Sequence, residues 1–192
     1  MSATIDISAL CLGEVYTSGK GAKSVPICFS GRGLEPVQWT PEEFQQVAFE
    51  PTAFNGEDVA RVNLVMVATP EVNDFLAELD EQLITLATEN SNRIFGKQLT
   101  NIEVSGRYTS SIKISEKGYH PTFRAKINLS GRGAVQCWDM EKNKREKPEA
   151  WIQCKVQPKI ILKSLWLMGK QFGALYECGN VLIDEVGQQC PF

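Results

Sequence analysis

Three stretches in the second half of the chain alternate a basic or polar residue with an apolar one. They run from Arg107 to Ile114, from Thr122 to Leu129 and from Lys155 to Trp166. Because successive side chains of a β-strand point to opposite faces of a sheet, each stretch can bury one row and present the other to solvent. The pattern predicts three half-buried strands, which would form one basic surface if they lie side by side.

Charge is distributed unevenly along the chain. Residues 1–96 carry 5 Lys and Arg against 14 Asp and Glu, whereas residues 97–170 carry 15 against 6. Such an asymmetry is typical of a protein that meets nucleic acid or another anionic surface through its basic part. The alternative is that the two parts pack together and neutralise each other, since charge informs about partners and solubility rather than about fold.

One helix has a well-marked start in the sequence. Thr69 can cap it, Pro70 suits the first helical position, and Glu71 places an acid in the first turn. Apolar residues then recur at helical spacing, which predicts one long helix from about residue 71 to residue 95.

Strand-like segments dominate the rest of the chain. After Gly96 they continue to about Ile183, with turns marked by glycine. We therefore expect an α+β protein that is mainly antiparallel β. Residues 1–185 are expected to form one domain, and residues 186–192 a short C-terminal tail.

The sequence lacks the motifs of catalysis and of metal binding. His120 is the one histidine, and no cysteine stands in a Cys-x-x-Cys or Cys/His spacing, so no metal site is expected. No P-loop, dinucleotide fingerprint, nucleophile elbow or zinc-protease motif occurs. We expect no catalytic residue, no cofactor and no enzymatic activity. A basic, then apolar, secretory signal and a membrane-spanning run are also missing from the sequence.

Basic and aromatic residues of the second half are suited to nucleic acid instead. A positively charged groove with rings on which bases stack is the usual way to hold a single strand. Trp138 and Phe172 lie near turns and are predicted to stack bases, whereas Phe123 and Trp166 fall on apolar faces and are predicted to be buried. The basic residues predicted to bind nucleic acid are Arg32, Arg107, Lys113, Arg124, Lys126, Arg132, Lys155, Lys159, Lys163 and Lys170. Phosphate contacts are predicted for five of them, Arg124, Lys126, Arg132, Lys159 and Lys163.

The order of several short motifs resembles a known family. The motifs are Gly19-Lys20 with Lys23 to Ile27, Val37 to Pro41, Tyr119 to Lys126, and Ile161 to Gly173. They are similar in layout to proteins of large DNA viruses and related phages, the viral single-stranded-DNA-binding proteins of the OB-fold type. The resemblance implies an OB-like β-barrel and DNA binding without sequence preference.

The resemblance also implies a role in viral DNA replication or recombination, in the cytoplasm or nucleus of the infected host cell. Single-stranded DNA would be the partner, with RNA and self-association left open and no membrane partner expected. Replication proteins would be recruited through the C-terminus, where Asp184, Glu185 and Phe192 are the candidate contacts. The alternative function is a β-rich viral structural or assembly protein that binds a protein partner.

Overall fold

The structure is a computed structural model that describes residues 5–31, 35–51 and 60–185. Among these residues it contains twelve strands and three helices. Arg32 and residues 186–192, which include Phe192, lie outside the described residues, as does the Glu185 side chain. The strands are β1 (Leu10–Leu12), β2 (Tyr16–Thr17), β3 (Lys23–Phe29), β4 (Val37–Trp39), β5 (Gln45–Phe49), β6 (Arg61–Val67), β7 (Tyr108–Thr109), β8 (Thr122–Asn128), β9 (Gln136–Trp138), β10 (Lys144–Arg145), β11 (Cys154–Met168) and β12 (Gln171–Glu185), and the helices are α1 (Pro70–Glu89), α2 (Ser91–Phe95) and α3 (Asn101–Ser105).

Five strands close into a ring. β5 pairs with β6, β6 with β8, β8 with β12 and β12 with β11, and β11 returns to pair with β5. All of these pairings are antiparallel except the one between β8 and β12. A closed ring leaves no unpaired sheet edge at its seam. The predicted α+β architecture, mainly antiparallel and with an OB-like barrel, is confirmed.

The apolar residues of the alternating stretches fill the inside of this ring. On β8 the apolar row is buried, and Phe123 keeps 3% of its surface exposed, as predicted. The facing positions of β6 are buried too, and Leu64 and Met66 are both 0% exposed. Since the opposite rows of the two strands carry Asn63, Arg124 and Lys126, the barrel turns a polar face to solvent.

Helix α1 begins where the sequence predicts it. The Thr69 hydroxyl oxygen accepts a hydrogen bond from the Val72 amide, and Pro70 takes the first helical position. The helix ends earlier than predicted, because the chain turns at Asn90 and continues as the separate α2. The apolar face of α1 joins the barrel core through its buried residues Val72, Leu76, Leu79, Leu83 and Ala87.

The stretch from Arg107 to Ile114 is not the strand that its alternation predicts. Only Tyr108–Thr109 forms a strand, and Lys113 adds an isolated bridge. The Ser111 amide, which a sheet would use, instead donates to the Asp80 carboxylate at 2.8 Å. The Ile112 amide likewise donates to the Ser110 hydroxyl, at 3.2 Å. Side chains thus take the backbone groups that sheet pairing would use, and the alternating pattern is overridden.

An extra residue in β11 exchanges the two faces of that strand. Leu162 pairs with Tyr176 and Ser164 with Leu175, so Lys163 has no counterpart on β12. Such a bulge shifts the inside–outside alternation by one position. Leu165 therefore becomes fully buried, while Trp166 turns to the surface and is half-buried. The prediction that Trp166 lies in the core is wrong for this reason.

A second bulge has the same effect in β5. Val47 pairs with Met66 and Phe49 with Val65, so Ala48 is the extra residue. Val47 is 1% exposed, but Phe49, which a regular strand would bury on the same face, is 62% exposed.

A substitution at Gly173 of β12 can test how the Trp166 indole packs. A Cβ atom at Gly173 would lie 2.8 Å from Trp166 Cζ2 and 3.0 Å from the Thr109 carbonyl oxygen. Gly173→Ala should therefore lower the free energy of unfolding by about 1–3 kcal/mol, as overpacking does, in urea denaturation. Gly179→Ala is the matched control, since it is on the same strand with no atom within 4 Å of the added Cβ, and should stay within about 0.5 kcal/mol of wild type. Equal stability of both variants would show that the indole does not cover Gly173.

Candidate nucleic-acid interface

Three adjoining cavities form a groove on the outer surface of the barrel. Segment 1, of about 580 Å³, lies between residues 109–114 and the outer faces of β6 and β8. Segment 2, of about 700 Å³, lies between those strands, residues 20–23 and residues 166–169. Segment 3, of about 670 Å³, continues to Arg93–Gly96 and Arg107.

Shared walls join the segments into one path. Asn63 and Arg124 line both segment 1 and segment 2. Lys23 and Gly169 line both segment 2 and segment 3. A linear chain could therefore pass from one segment to the next along the surface.

The groove walls are strongly basic. Among the described residues, no Asp or Glu lines any of the three segments. Arg93 is partly occupied, because it donates to the Leu12 carbonyl oxygen at 3.2 Å and pairs with Glu14 at 3.5 Å. A concave surface of one sign focuses its field and attracts a polyanion. The lining cations are Lys20, Lys23, Arg93, Arg107, Lys113, Arg124, Lys126 and Lys170.

Lys126 shows how closely the positive charges are placed. Partial burial lowers the pKa of Lys126 below the ordinary lysine value, and the nearby positive charges of Arg124 and Arg61 lower it further. Arg61 in turn forms an ion pair with Glu177 on β12. A phosphate group placed beside Lys126 and Arg124 would relieve this repulsion.

Arg107 rests on an aromatic stack in segment 3. Its guanidinium carbon lies 5.5 Å from the centre of the Phe95 ring, within the range of a cation–π contact. The Phe95 ring packs edge-on against Phe172 at 5.3 Å. Phe172 is 0% exposed, so the prediction that it stacks a base is wrong, and its role is to support Phe95 and Arg107 from the core.

Five aromatic residues of the described chain line the groove segments: Phe49, Phe95, Phe123, Trp166 and Tyr176. Two of them reach the groove through strand bulges. Phe49 lines segment 1 and Trp166 lines segment 2. Both owe their position to the bulges, at Ala48 and Lys163. Arg124 lines both segments, so one cation borders the segment of each ring.

The three predicted basic rows do not lie side by side. β12 separates β8 from β11, so the β8 row borders the groove whereas the β11 row lies beyond it. Lys163 pairs with Glu177 at 3.6 Å, Lys155 stands opposite Asp184, and Lys159 stands opposite Asn180. None of these three lysines lines a groove segment.

Four further candidates also lie away from the groove lining. Arg132 is exposed in the turn after β8. The Trp138 indole is half-buried on β9 and donates to the Asn180 side-chain oxygen at 3.0 Å. Asp184 belongs to β12, so it is part of the sheet rather than of a free tail, and Glu185 ends the same strand. Arg107, Lys113, Arg124, Lys126 and Lys170 are the predicted residues that the groove brings together.

Sequence reasoning missed part of the groove. Lys20 lies in a glycine-containing loop and Lys23 begins β3 directly after it, and that local composition could have indicated an exposed basic turn. Phe49 and Trp166 carry no such signal, because an apolar residue at an alternating position reads as core until the bulge is known.

No three His, Cys, Asp or Glu side chains in the described part of the chain stand close enough to hold a metal ion. None of the helices in the described residues is long and apolar enough to span a membrane.

The pKa of Lys126 can be tested directly. Arg124→Gln removes one neighbouring positive charge and should raise the pKa of Lys126 toward the ordinary lysine value, although burial still lowers it. Lys155→Gln, outside the groove, should leave that pKa unchanged. NMR titration of the lysine side-chain signals measures both. An unchanged value in Arg124→Gln would show that the guanidinium points away from Lys126.

The comparisons with known proteins concern the fold. No family model matches the sequence, and no curated protein does. The single-stranded DNA-binding protein from bacteriophage Enc34, in complex with ssDNA, matches with a TM-score of 0.50 at 10% identity, over 91% of this chain and 96% of that chain. A C-terminal truncation of the Enc34 protein matches with a TM-score of 0.52 at 11% identity, over the same shares. The chain therefore shares its overall fold with a phage single-stranded DNA-binding protein.

Proposed function

We propose that the protein binds single-stranded DNA in the groove, without sequence preference and without catalysis, in support of viral DNA replication or recombination. The observation that carries the proposal is a groove lined by eight Lys and Arg, by aromatic side chains that include Phe49 and Trp166 and, among the described residues, by no acid. The solved Enc34 complex, which has the same overall fold, contains ssDNA.

The phosphate backbone would follow the cations of the groove. Arg124 and Lys126 lie at its centre, Lys20 and Lys23 form the opposite wall of segment 2, and Arg107 and Lys170 border segment 3. Contacts to phosphate carry no sequence information, so binding of this kind is general. Its strength depends on the release of counterions from the nucleic acid.

The bases would stack on Phe49 and Trp166. Every base has a π-face, so stacking tolerates any sequence, and it requires bases that are not already paired and stacked in a duplex. A groove that combines such rings with cations therefore favours a single strand. The alternative, a structural or assembly protein, gives no reason for a groove whose described lining residues combine cations with aromatic rings and include no acid.

We also propose that the C-terminus recruits replication proteins, through fewer residues than the sequence predicts. Since Asp184 and Glu185 belong to β12, residues 186–192 would act without an acid of their own. Phe192 is then the remaining candidate contact of the tail.

Arg124 and Arg132 provide a matched test of where the strand runs. Arg124→Ala should weaken binding to oligo-dT about tenfold and should reduce the slope of log K against log salt by about 0.7, the value for one lost phosphate contact on a single strand. Arg132→Ala removes the same charge from a turn outside the groove and should change neither quantity appreciably. Fluorescence anisotropy at several salt concentrations measures both.

An equal loss for the two arginine variants would place the strand outside the groove. Binding that does not weaken as salt rises would contradict the phosphate contacts altogether.

Trp166 can report on stacking through its own fluorescence. Trp166→Ala should cost about 1–3 kcal/mol of binding free energy, the usual contribution of one stacked base. Trp166→Phe should retain most of the affinity but lose most of the quenching on titration with oligo-dT, since Trp39 and Trp151 are 6% and 4% exposed. Trp138→Phe is the control and should retain the quenching. If Trp138→Phe abolishes it instead, the bases lie on β9 and not in segment 2.

A further inference from the structure

Helix α1 contains a buried carboxylate that the groove itself does not use. Asp80 is 7% exposed, and its Oδ1 atom accepts hydrogen bonds from the Tyr108 hydroxyl at 2.7 Å and the Ser111 hydroxyl at 2.5 Å. Its Oδ2 atom accepts from the Ser110 hydroxyl at 2.9 Å and the Ser111 amide at 2.8 Å. Burying a carboxylate is costly unless hydrogen bonds compensate it. Here all four donors come from one short segment of chain.

The hydrogen bonds continue from this segment into the barrel. Because the Ser111 hydroxyl donates to Asp80, the Tyr176 hydroxyl donates to Ser111, at 2.8 Å. Burial raises the pKa of both Tyr108 and Tyr176 well above the ordinary tyrosine value, so both hydroxyls keep their protons and remain donors. Tyr176 itself lines segment 2 of the groove.

The segment that Asp80 holds lines both ends of the groove. Arg107 borders segment 3, and residues 109–114, which include Lys113, form one wall of segment 1. Tyr108, Ser110 and Ser111 lie between these two cations. With little regular sheet pairing in this segment, the Asp80 hydrogen bonds are a major part of what fixes its position.

We propose that Asp80 is the positioning residue of the groove: it ties residues 107–114 to α1 and so sets where Arg107 and Lys113 stand relative to β6 and β8. The inference rests on the proposed function of the groove. A wall that is already held in place loses less conformational entropy on binding than a loose segment would, so it binds more tightly.

The test compares Asp80→Asn with Asp74→Asn, which removes the same charge from an exposed position of the same helix. An asparagine amide turns a donor toward one of the donors from residues 108–111, so part of the network must break. Hydrogen exchange of the amides of residues 108–113 should accelerate in Asp80→Asn, while those of β6 and β8 stay protected. Asp74→Asn should match wild type throughout.

Binding to oligo-dT separates positioning from a general loss of stability. Asp80→Asn should weaken binding about tenfold in the otherwise wild-type protein, but less than about twofold when Arg107 and Lys113 are both replaced by alanine, because residues that act through one another are not additive. An equal loss in both backgrounds, or unchanged exchange of residues 108–113, would overturn the proposal.

Two milder variants serve if Asp80→Asn does not fold. Ser111→Ala removes one donor and the link to Tyr176, and Tyr108→Phe removes another donor; both are held to the same criteria. If the wild-type protein fails to bind oligo-dT, the proposed function fails, whereas hydrogen exchange still decides whether Asp80 holds the segment.

Discussion

The pairing of β11 with β12 is the interaction on which the rest of the molecule depends. The two long strands form an antiparallel hairpin, and β11 also pairs with β5 while β12 also pairs with β8. The hairpin is therefore the seam that closes the barrel. It also sets the positions of the groove walls, because Trp166 and Gly169 come from its tip and Arg124 and Lys126 from the strand beside it.

The same pairing explains why the basic rows of β8 and β11 lie in different surroundings. β12 lies between β8 and β11, and its Glu177 pairs with both Arg61 and Lys163. This carboxylate marks a boundary between the groove, whose described lining residues include no acid, and the outer face of β11. Strand β12 thus separates two groups of positive charges. Those of the groove are open to an anion, whereas those of β11 are balanced by an acid or face solvent.

The sequence predicts the elements with local signals. The start of α1, the strand β8 and the burial of Phe123 follow from capping residues and from alternation. It does not predict the features that arise from long-range contacts. The chain near Ser111 is drawn out of a strand by Asp80, some thirty residues away, and no local pattern shows this.

The residues of the candidate site divide in the same way, into those predicted by local signals and those placed by long-range contacts. Arg124 and Lys126 are found because they belong to a regular strand, whereas Phe172 and Trp166 are exchanged between core and surface. Phe172 packs under Phe95, and Trp166 is turned outward by an extra residue in its strand. The register of a strand pair decides such cases, and register is a property of two segments rather than of one.

The bulges have a consequence for how such a groove can change. Each aromatic ring reaches the surface because one residue, Ala48 or Lys163, is added to its strand. Deleting either residue would return the ring to the interior and push its neighbour out, with no aromatic residue gained or lost. Which aromatic rings line this groove therefore depends on strand length as well as on residue type. Single-residue insertions and deletions could change the set of rings at the surface where substitutions would not.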